Sequence, residues 1–293
     1  MAGAVYSARK KIKATIITDI VGGQSVVSTE INNWIGSSSI SGADLAKSLG
    51  DHLRSSGAEI DDGDLVVSVS NSDLGFKIET KNGKVFDARF IFFAAGSKRR
   101  KLGVPGENKF EGKGLAYCAI CDAPLFKNKI VTVVGGGNAG LEAALDLSLY
   151  ASKIYILEHK DALKADAETI ERVQKDSKIE IITMAEVSEI VGKDFVESVR
   201  YKDERANEIK NLDVSGVFVE IGALPNSDLL KNLVDLDEYG EIIVDPKTQK
   251  TSNPAIWAAG DATNSLYKQN NIAVGDAIQA ILNIADEISK TPQ

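Results

Sequence analysis

The apolar positions change period along the chain, and each change predicts an element. Ala2, Val5 and Tyr6 fall on a helical period, with Arg9, Lys10 and Lys11 at the end where cations suit the helix dipole, so a helix is expected from residue 1. The β-branched run at 14–18 predicts a strand ending at Asp19, and Val21-Gly-Gly-Gln24 predicts a loop. Ser41, followed by Leu45, Leu49 and Leu53 at helical spacing, predicts a capped helix over 41–56. Strands are expected at 64–69, 75–80 and 88–93. The last of them, with Arg89-Phe-Ile-Phe-Phe93, reads as a buried strand that delivers the chain to a turn at Ala94-Ala-Gly96, where a ligand could approach the backbone.

A second α/β module begins near Gly103, because a buried strand (130–134), a glycine-rich turn and a helix follow in βαβ order. It continues through a strand at 154–157, a helix at 165–175, and strands near 179–182, 187–191 and 216–221. Beyond Gly222-Ala-Leu-Pro-Asn226, short strands are expected at 241–244 and 255–259. A closing helix at 272–290 is expected to carry Ile278, Ile281, Leu282 and Ala285 on one stripe. This tail is too small to fold alone, so it is expected to complete the first domain, with the second domain inserted between two crossings. The divisions are 1–102, 103–224 and 225–293.

Composition narrows the class. Among 293 residues, 34 Lys+Arg against 42 Asp+Glu leave a net charge of −8, which suits a soluble protein and not a nucleic-acid binder. No apolar run approaches the ~18 residues of a membrane span. The start MAGAVYSARKK lacks the pattern of a secretory signal, so a cytoplasmic location is expected. Only Cys118 and Cys121 are present, which excludes a disulphide scaffold and concentrates any thiol chemistry in one pair.

Two motifs carry chemistry. In VVGGGNAGLEAA, Gly135, Gly137 and Gly140 follow a buried strand and open a helix. The first glycine allows the tight turn, the second lets a pyrophosphate approach, and the third lets helix pack on strand. The free amides at Asn138 and Ala139 can bind the anion. Glu158 stands 18 residues after Gly140, near the spacing of a carboxylate that binds a ribose 2′-hydroxyl. A glycine-rich turn without a ligand is the alternative. Cys118-Ala-Ile-Cys121 beside Asp122 suits a pair cycling between dithiol and disulphide, one thiolate attacking and its neighbour resolving. A zinc site is disfavoured, since only His52 and His159 remain as imidazoles, and two inert core cysteines stay open as an alternative. Nicotinamide hydride does not pass cleanly to thiols, so a flavin is expected between them. Trp257-Ala-Ala-Gly-Asp261, Tyr267-Lys-Gln269 and a helix start at Ile272 could serve its sugar chain and ring, or form a plain turn with a helix cap.

Together these residues resemble the low-molecular-weight thioredoxin reductases and the similar flavoprotein subunit of alkyl hydroperoxide reductase. Gly22-Gly-Gln24, Thr29, Asn33-Trp34, Ala94-Ala-Gly96, Pro105-Gly-Glu107, the CxxC, the Gly135–Gly140 loop, Gly222 to Asn226, Gly260-Asp-Ala-Thr263 and Tyr267-Lys-Gln269 all fall in family order over nearly the whole chain. The resemblance implies an α/β fold of two Rossmann-like, three-layer dinucleotide-binding domains, with the NAD(P)H domain that carries the CxxC inserted in the FAD domain. It assigns FAD to Asp19, Gly23, Gln24, Thr29, Asn33, Ala95, Gly96, Gly260, Asp261, Lys268, Gln269 and Ile272. The nucleotide falls to Gly135, Gly137, Asn138, Ala139, Gly140, Glu158, His159, Lys160 and Gly222. Cys121 would react with the flavin, Cys118 would exchange with a protein disulphide, and Asp122 would carry the proton. A homodimer, and a rotation of the domains hinged near 102–105 and 222–225, are implied as well.

Two departures from the family pattern matter. Family members begin with a strand and a glycine-rich FAD pyrophosphate loop ahead of the helix that here starts at Met1, so the FAD domain is expected to lack both, through a late start, and to bind FAD poorly. Where NADPH users carry basic residues, this chain reads Glu158-His159-Lys160, which predicts NADH over NADPH. The leading reading is an enzyme passing electrons from NAD(P)H through FAD and the Cys118/Cys121 pair to a separate thioredoxin- or glutaredoxin-like carrier. A non-catalytic NAD-binding sensor or degenerate paralogue is the alternative, separated from the enzyme by flavin content. A flavin-dependent ferredoxin reductase is disfavoured by the CxxC.

Overall fold

The computed structural model describes residues 1–28, 31 and 33–290. The chain divides into two units, one of Met1–Thr29, Trp34–Lys98 and Leu224–Gln293, the other of Arg99–Ala223 with Glu30–Asn33. No helix among the described residues is long and apolar enough to cross a membrane.

The first unit opens on α1 (Ala2–Arg9), β1 (Thr15–Thr18) and a 3-10 turn at Gly23–Val27, followed by α2 (Gly42–Ser55) and β2 (Glu59–Asp62). Ser41 caps α2 as its sequence predicts, its hydroxyl accepting the Asp44 N–H at 3.0 Å, and Leu45 and Leu53 are buried. β1 and β2 pair in parallel, Thr15 opposite Glu59. β3 (Val66–Ser72), β4 (Gly75–Thr80) and β5 (Val85–Ala88) form an antiparallel sheet. The single strand expected at 88–93 is two strands: β5 stops at Ala88, and β6 (Ile91–Phe93) starts afresh in another sheet. The chain changes sheets there, and of β6 only Phe93 is fully buried. Crossing segments β7 (Ser97–Arg99) and, later, β16 (Ala223–Pro225) carry the chain between the units.

The second unit contains α3 (Glu107–Phe110), β8 (Leu115–Ala116), α4 (Ala119–Asp122), β9 (Ile130–Val134), α5 (Asn138–Ser148), β10 (Lys153–Glu158), α6 (Ala167–Lys175) and β11 (Ile179–Thr183). An antiparallel sheet of β12 (Ala185–Gly192), β13 (Val196–Asp203) and β14 (Glu208–Asp213) precedes β15 (Gly216–Val219). Five strands make a wholly parallel sheet in the order β11-β10-β9-β15-β8. Both faces are covered, which is why β9 and β15 are apolar almost throughout. Leu141, Ala144 and Leu147 of α5 pack against Val131, Val133, Ile154 and Ile156 on one face. Val187, Ile190 and Val199 of the antiparallel sheet pack against Val134, Leu157, Val217 and Val219 on the other. Three layers result, one of them a small sheet where helices would serve equally well.

Glu107 fixes the entry to this unit. Its carboxylate is only 2% exposed, yet it accepts the N–H groups of Leu102 and Gly103, each at 2.8 Å, and the Tyr117 hydroxyl at 2.9 Å. The start of the stretch 102–105 is thus tied to the second unit. Glu107→Ala leaves two amides and a phenol without their charged acceptor and is expected to cost about 2–4 kcal/mol, read as a lowered denaturant midpoint. An unchanged midpoint would refute the tie.

The chain returns to the first unit with β17 (Ile256–Ala258), parallel to β6, and α7 (Asn270–Lys290). The strand expected at 241–244 is absent: Ile242 makes only isolated bridges to Leu236 and Thr263. α7 runs where its pattern predicts, but its buried stripe is Ala277, Ala280, Ile281 and Ile284, while Leu282 is 36% exposed. The reason is close packing. At Gly3 of α1 a Cβ would press on the Phe92 ring and the Ile281 side chain, so the glycine leaves room for Ile281 while alanines fill the rest of the inward stripe beside Ile284.

Candidate active site

In the second unit, Gly135 holds φ 124°, a region open to glycine, and a Cβ there would overlap the Glu220 carbonyl. A Cβ on Gly140 would overlap the carbonyl of Gly135 itself, so α5 packs against the turn only through glycine. Gly137 is the N-cap of α5, which has no side-chain cap, and Asn138 and Ala139 are exposed. This helix start can receive an anion. Asn138 also accepts the Asp166 N–H at 2.8 Å, joining the loop to the start of α6.

Glu158 is 7% exposed at the end of β10. It accepts the Gly136 N–H at 2.6 Å and the Lys160 N–H at 2.8 Å, and His159 Nδ1 lies 2.9 Å from the same carboxylate. The carboxylate is therefore built into the glycine loop. His159 and Lys160 are exposed beside it. Gly222, at φ 97°, accepts the Arg100 N–H at 3.0 Å.

Cys118 and Cys121 form a disulphide with their Cα atoms 5.4 Å apart, both residues half-buried. Cys118 is the N-cap of the single turn α4, and the Asp122 N–H bonds back to its carbonyl at 3.2 Å. Burial pushes the Asp122 carboxyl up to about 6, so it can hold or release a proton near neutral pH. Tyr117 bonds to Glu107, and burial followed by that bond drives its phenol well above its ordinary range. The pair, Asp122 and the glycine loop all belong to this one unit.

The first unit gathers another set. Gln24 donates to the Ser97 carbonyl, and the Ser97 hydroxyl lies 3.5 Å from the Asp261 carboxylate. Asn270, at the start of α7, donates to Ser25 at 3.0 Å. Gly23 and Gly96 both have positive φ with open space where a Cβ would stand, so a ligand can reach their backbone. Asn226 binds the carbonyls of Ala95, at 2.8 Å, and Gly96, at 2.9 Å. Gly260 gives its N–H to Asp276, whose carboxyl burial pushes upward. Lys268 pairs with Glu241 at 3.0 Å and bonds the Thr263 carbonyl. Ile272 lies half-buried in the first turn of α7, and the Gln269 carbonyl accepts the Ala273 N–H. Asp19 is exposed just past β1; Asn33, half-buried, falls in the second unit instead, and Thr29 lies outside the described residues.

Sequence reasoning passed over three residues. Ser97 links Gln24 to Asp261. Glu107 anchors Tyr117 beside the first cysteine. Glu220 ends the run Val217-Phe-Val-Glu220, and burial pushes its carboxyl up to about 7; a carboxylate closing an apolar run was the available signal.

Residues 1–277 match the family model described as pyridine nucleotide-disulphide oxidoreductase. The chain is 38% identical over 285 residues to an alkyl hydroperoxide reductase subunit of Staphylococcus aureus, covering 97% of this chain and 56% of that one. It is 38% identical over 283 residues to an NADH dehydrogenase of Ferdinandcohnia aciditolerans, covering 97% and 54%. It thus spans little more than half the length of these curated relatives. The crystal structure of thioredoxin reductase from Streptococcus pyogenes superposes with a TM-score of 0.91 at 30% identity, covering 99% of this chain and 94% of that one. An α/β fold with parallel sheets, a dinucleotide-type glycine loop and a disulphide-forming CxxC place the chain in the pyridine nucleotide-disulphide oxidoreductase family.

Proposed function

We propose that the chain reduces protein disulphides with electrons from NADH, through FAD and the Cys118/Cys121 pair, and that its substrate is a thioredoxin- or glutaredoxin-like carrier. The observation that carries this reading is a disulphide with a proton-handling carboxyl, Asp122, in the same unit as the Gly135 loop. Uncapped amides at the head of α5 and the close-packed glycines fit a pyrophosphate, and Glu158 fits a free ribose 2′-hydroxyl. His159, Lys160 and Gly222 border that site.

The open glycines 23 and 96, with the Gln24–Ser97–Asp261 connection, fit a flavin nucleotide in the first unit, and Asp19, Lys268, Gln269 and Ile272 complete its proposed surroundings. Bound FAD supplies the two-electron relay that thiols cannot provide for hydride. The chain's own residues do the rest. Cys118 serves as the thiol that attacks the carrier disulphide and Cys121 resolves the mixed disulphide, while Asp122 holds the proton exchanged with the departing thiolate. The name of one relative, an NADH dehydrogenase, favours NADH as donor.

The test is the visible spectrum of the protein purified with added FAD and titrated anaerobically with NADH. With FAD added in excess to offset the weak affinity expected from the sequence, bound flavin that bleaches with about one equivalent of NADH is expected. A protein that binds NADH but retains no flavin would overturn the enzyme reading in favour of a nucleotide sensor.

A further inference from the structure

The pairing of β8 with β15 ends at Ala116, opposite Phe218, and the chain leaves the sheet at Tyr117, immediately ahead of Cys118. A side chain takes over there. The Tyr117 hydroxyl donates to Glu107 at 2.9 Å, on the same carboxylate oxygen that accepts the Leu102 N–H. The ring is half-buried against the core that includes Leu115, Ile190 and Val217. On the other side of the first cysteine, the Asp122 N–H donates to the Cys118 carbonyl at 3.2 Å.

The acceptor stands on a fixed base. The Pro105 carbonyl takes the Ile190 N–H at 2.9 Å, and Gly106, at φ 89°, lies so close to β12 that a Cβ would overlap the Ile190 carbonyl. Glu107 follows directly, with both carboxylate oxygens engaged and the residue 2% exposed.

We infer that Tyr117 is a positioning residue for the Cys118/Cys121 pair: its hydrogen bond to the buried Glu107 carboxylate fixes the chain ahead of Cys118, keeps the two sulphurs within closing distance and so favours the disulphide over the dithiol. The inference rests on the reading of this pair as redox-active. A chain pinned at Tyr117 samples fewer conformations in the dithiol, so less entropy is lost when the disulphide closes. By the same linkage, a closed disulphide strengthens the pin. A hydrogen bond to a charged acceptor is among the stronger ones, which makes the effect measurable.

The test equilibrates the full chain at about pH 7 in mixtures of reduced and oxidised dithiothreitol and counts thiols by alkylation. Reduced dithiothreitol closes its own S–S bond as the protein's opens, passing two electrons and two protons to Cys118 and Cys121. No nucleotide, flavin or carrier is used, so failure here and failure of the electron-transfer reading are distinguishable. Tyr117→Phe keeps the ring and removes the hydroxyl. It is expected to lower the disulphide:dithiol ratio about fivefold, about 20 mV for a two-electron couple. A hydroxyl that merely stabilised the fold would strengthen oxidised and reduced protein equally and leave no mark on that ratio. Coincident wild-type and Tyr117→Phe ratios would therefore overturn the inference. In a Glu107→Ala background the same substitution is expected to shift the ratio by less than about twofold, because the acceptor is already gone, and a full fivefold shift there would overturn the inference too. If Glu107→Ala does not fold, judged by circular dichroism, the Tyr117→Phe ratio decides alone. A wild-type pair that stays oxidised throughout would overturn the redox reading, and the inference with it.

Discussion

Cys118→Ser and Cys121→Ser are each expected to abolish NADH-driven reduction of a protein disulphide, by about 10³-fold or more, while leaving NADH binding intact. The size follows from the chemistry. A lone thiol can attack a disulphide but cannot resolve the mixed species, so a cycle that needs both sulphurs has no partial version. The two variants should fail differently. Cys121→Ser is expected to trap the carrier as a covalent adduct on Cys118, visible on a non-reducing gel, whereas Cys118→Ser forms none. Stopped-flow reduction and steady-state carrier turnover, measured on the same preparations, separate loss of thiol chemistry from loss of fold. Full turnover in Cys118→Ser would sink the assignment.

Nucleotide choice is the second large effect. Glu158→Arg is expected to lower kcat/KM for NADH by about 100-fold and to raise it for NADPH by about tenfold, a combined change of about three orders of magnitude in preference. The two arms are unequal for a structural reason. In the proposed nucleotide site Glu158 would present a negative charge to the ribose, and it accepts the Gly136 and Lys160 amides, so the arginine would invert the charge and at the same time release the loop. Glu158→Gln separates these roles. It keeps an acceptor for the loop, loses the charge, and should relax discrimination without the full loss on NADH. An unchanged NADH:NADPH ratio in Glu158→Arg would show that the carboxylate plays no part in the choice.

Where local chemistry dictates structure, the sequence was readable. Ser41 and its leucines specified α2, and the glycine spacing specified the turn into α5, because a cap and a steric exclusion act over a few residues. Where a distant partner decides, it was not. β14 has no apolar face of its own, its residues Glu208 to Asn211 being exposed, and exists because β13 offers an edge to pair with. The inward face of α7 is set by the closeness of α1, which favours Ala277 and Ala280 over the bulkier Ile278 and Leu282. The site divides in the same way. The cysteines, Asp122 and Glu158 stand in recognisable spacings, but Glu107 gains its meaning from its burial, which gathers the amides of Leu102 and Gly103 and the Tyr117 hydroxyl around its carboxylate.

The redox turn hangs from β8, an edge strand only two residues long, paired on one side to β15. Such a strand can open without disturbing the five-stranded sheet behind it. Amides around Leu115 to Asp122 are therefore expected to exchange with solvent faster than those of β9 in a hydrogen-exchange measurement. If the pair cycles as proposed, breaking and remaking this cross-link would disturb only the margin of the domain.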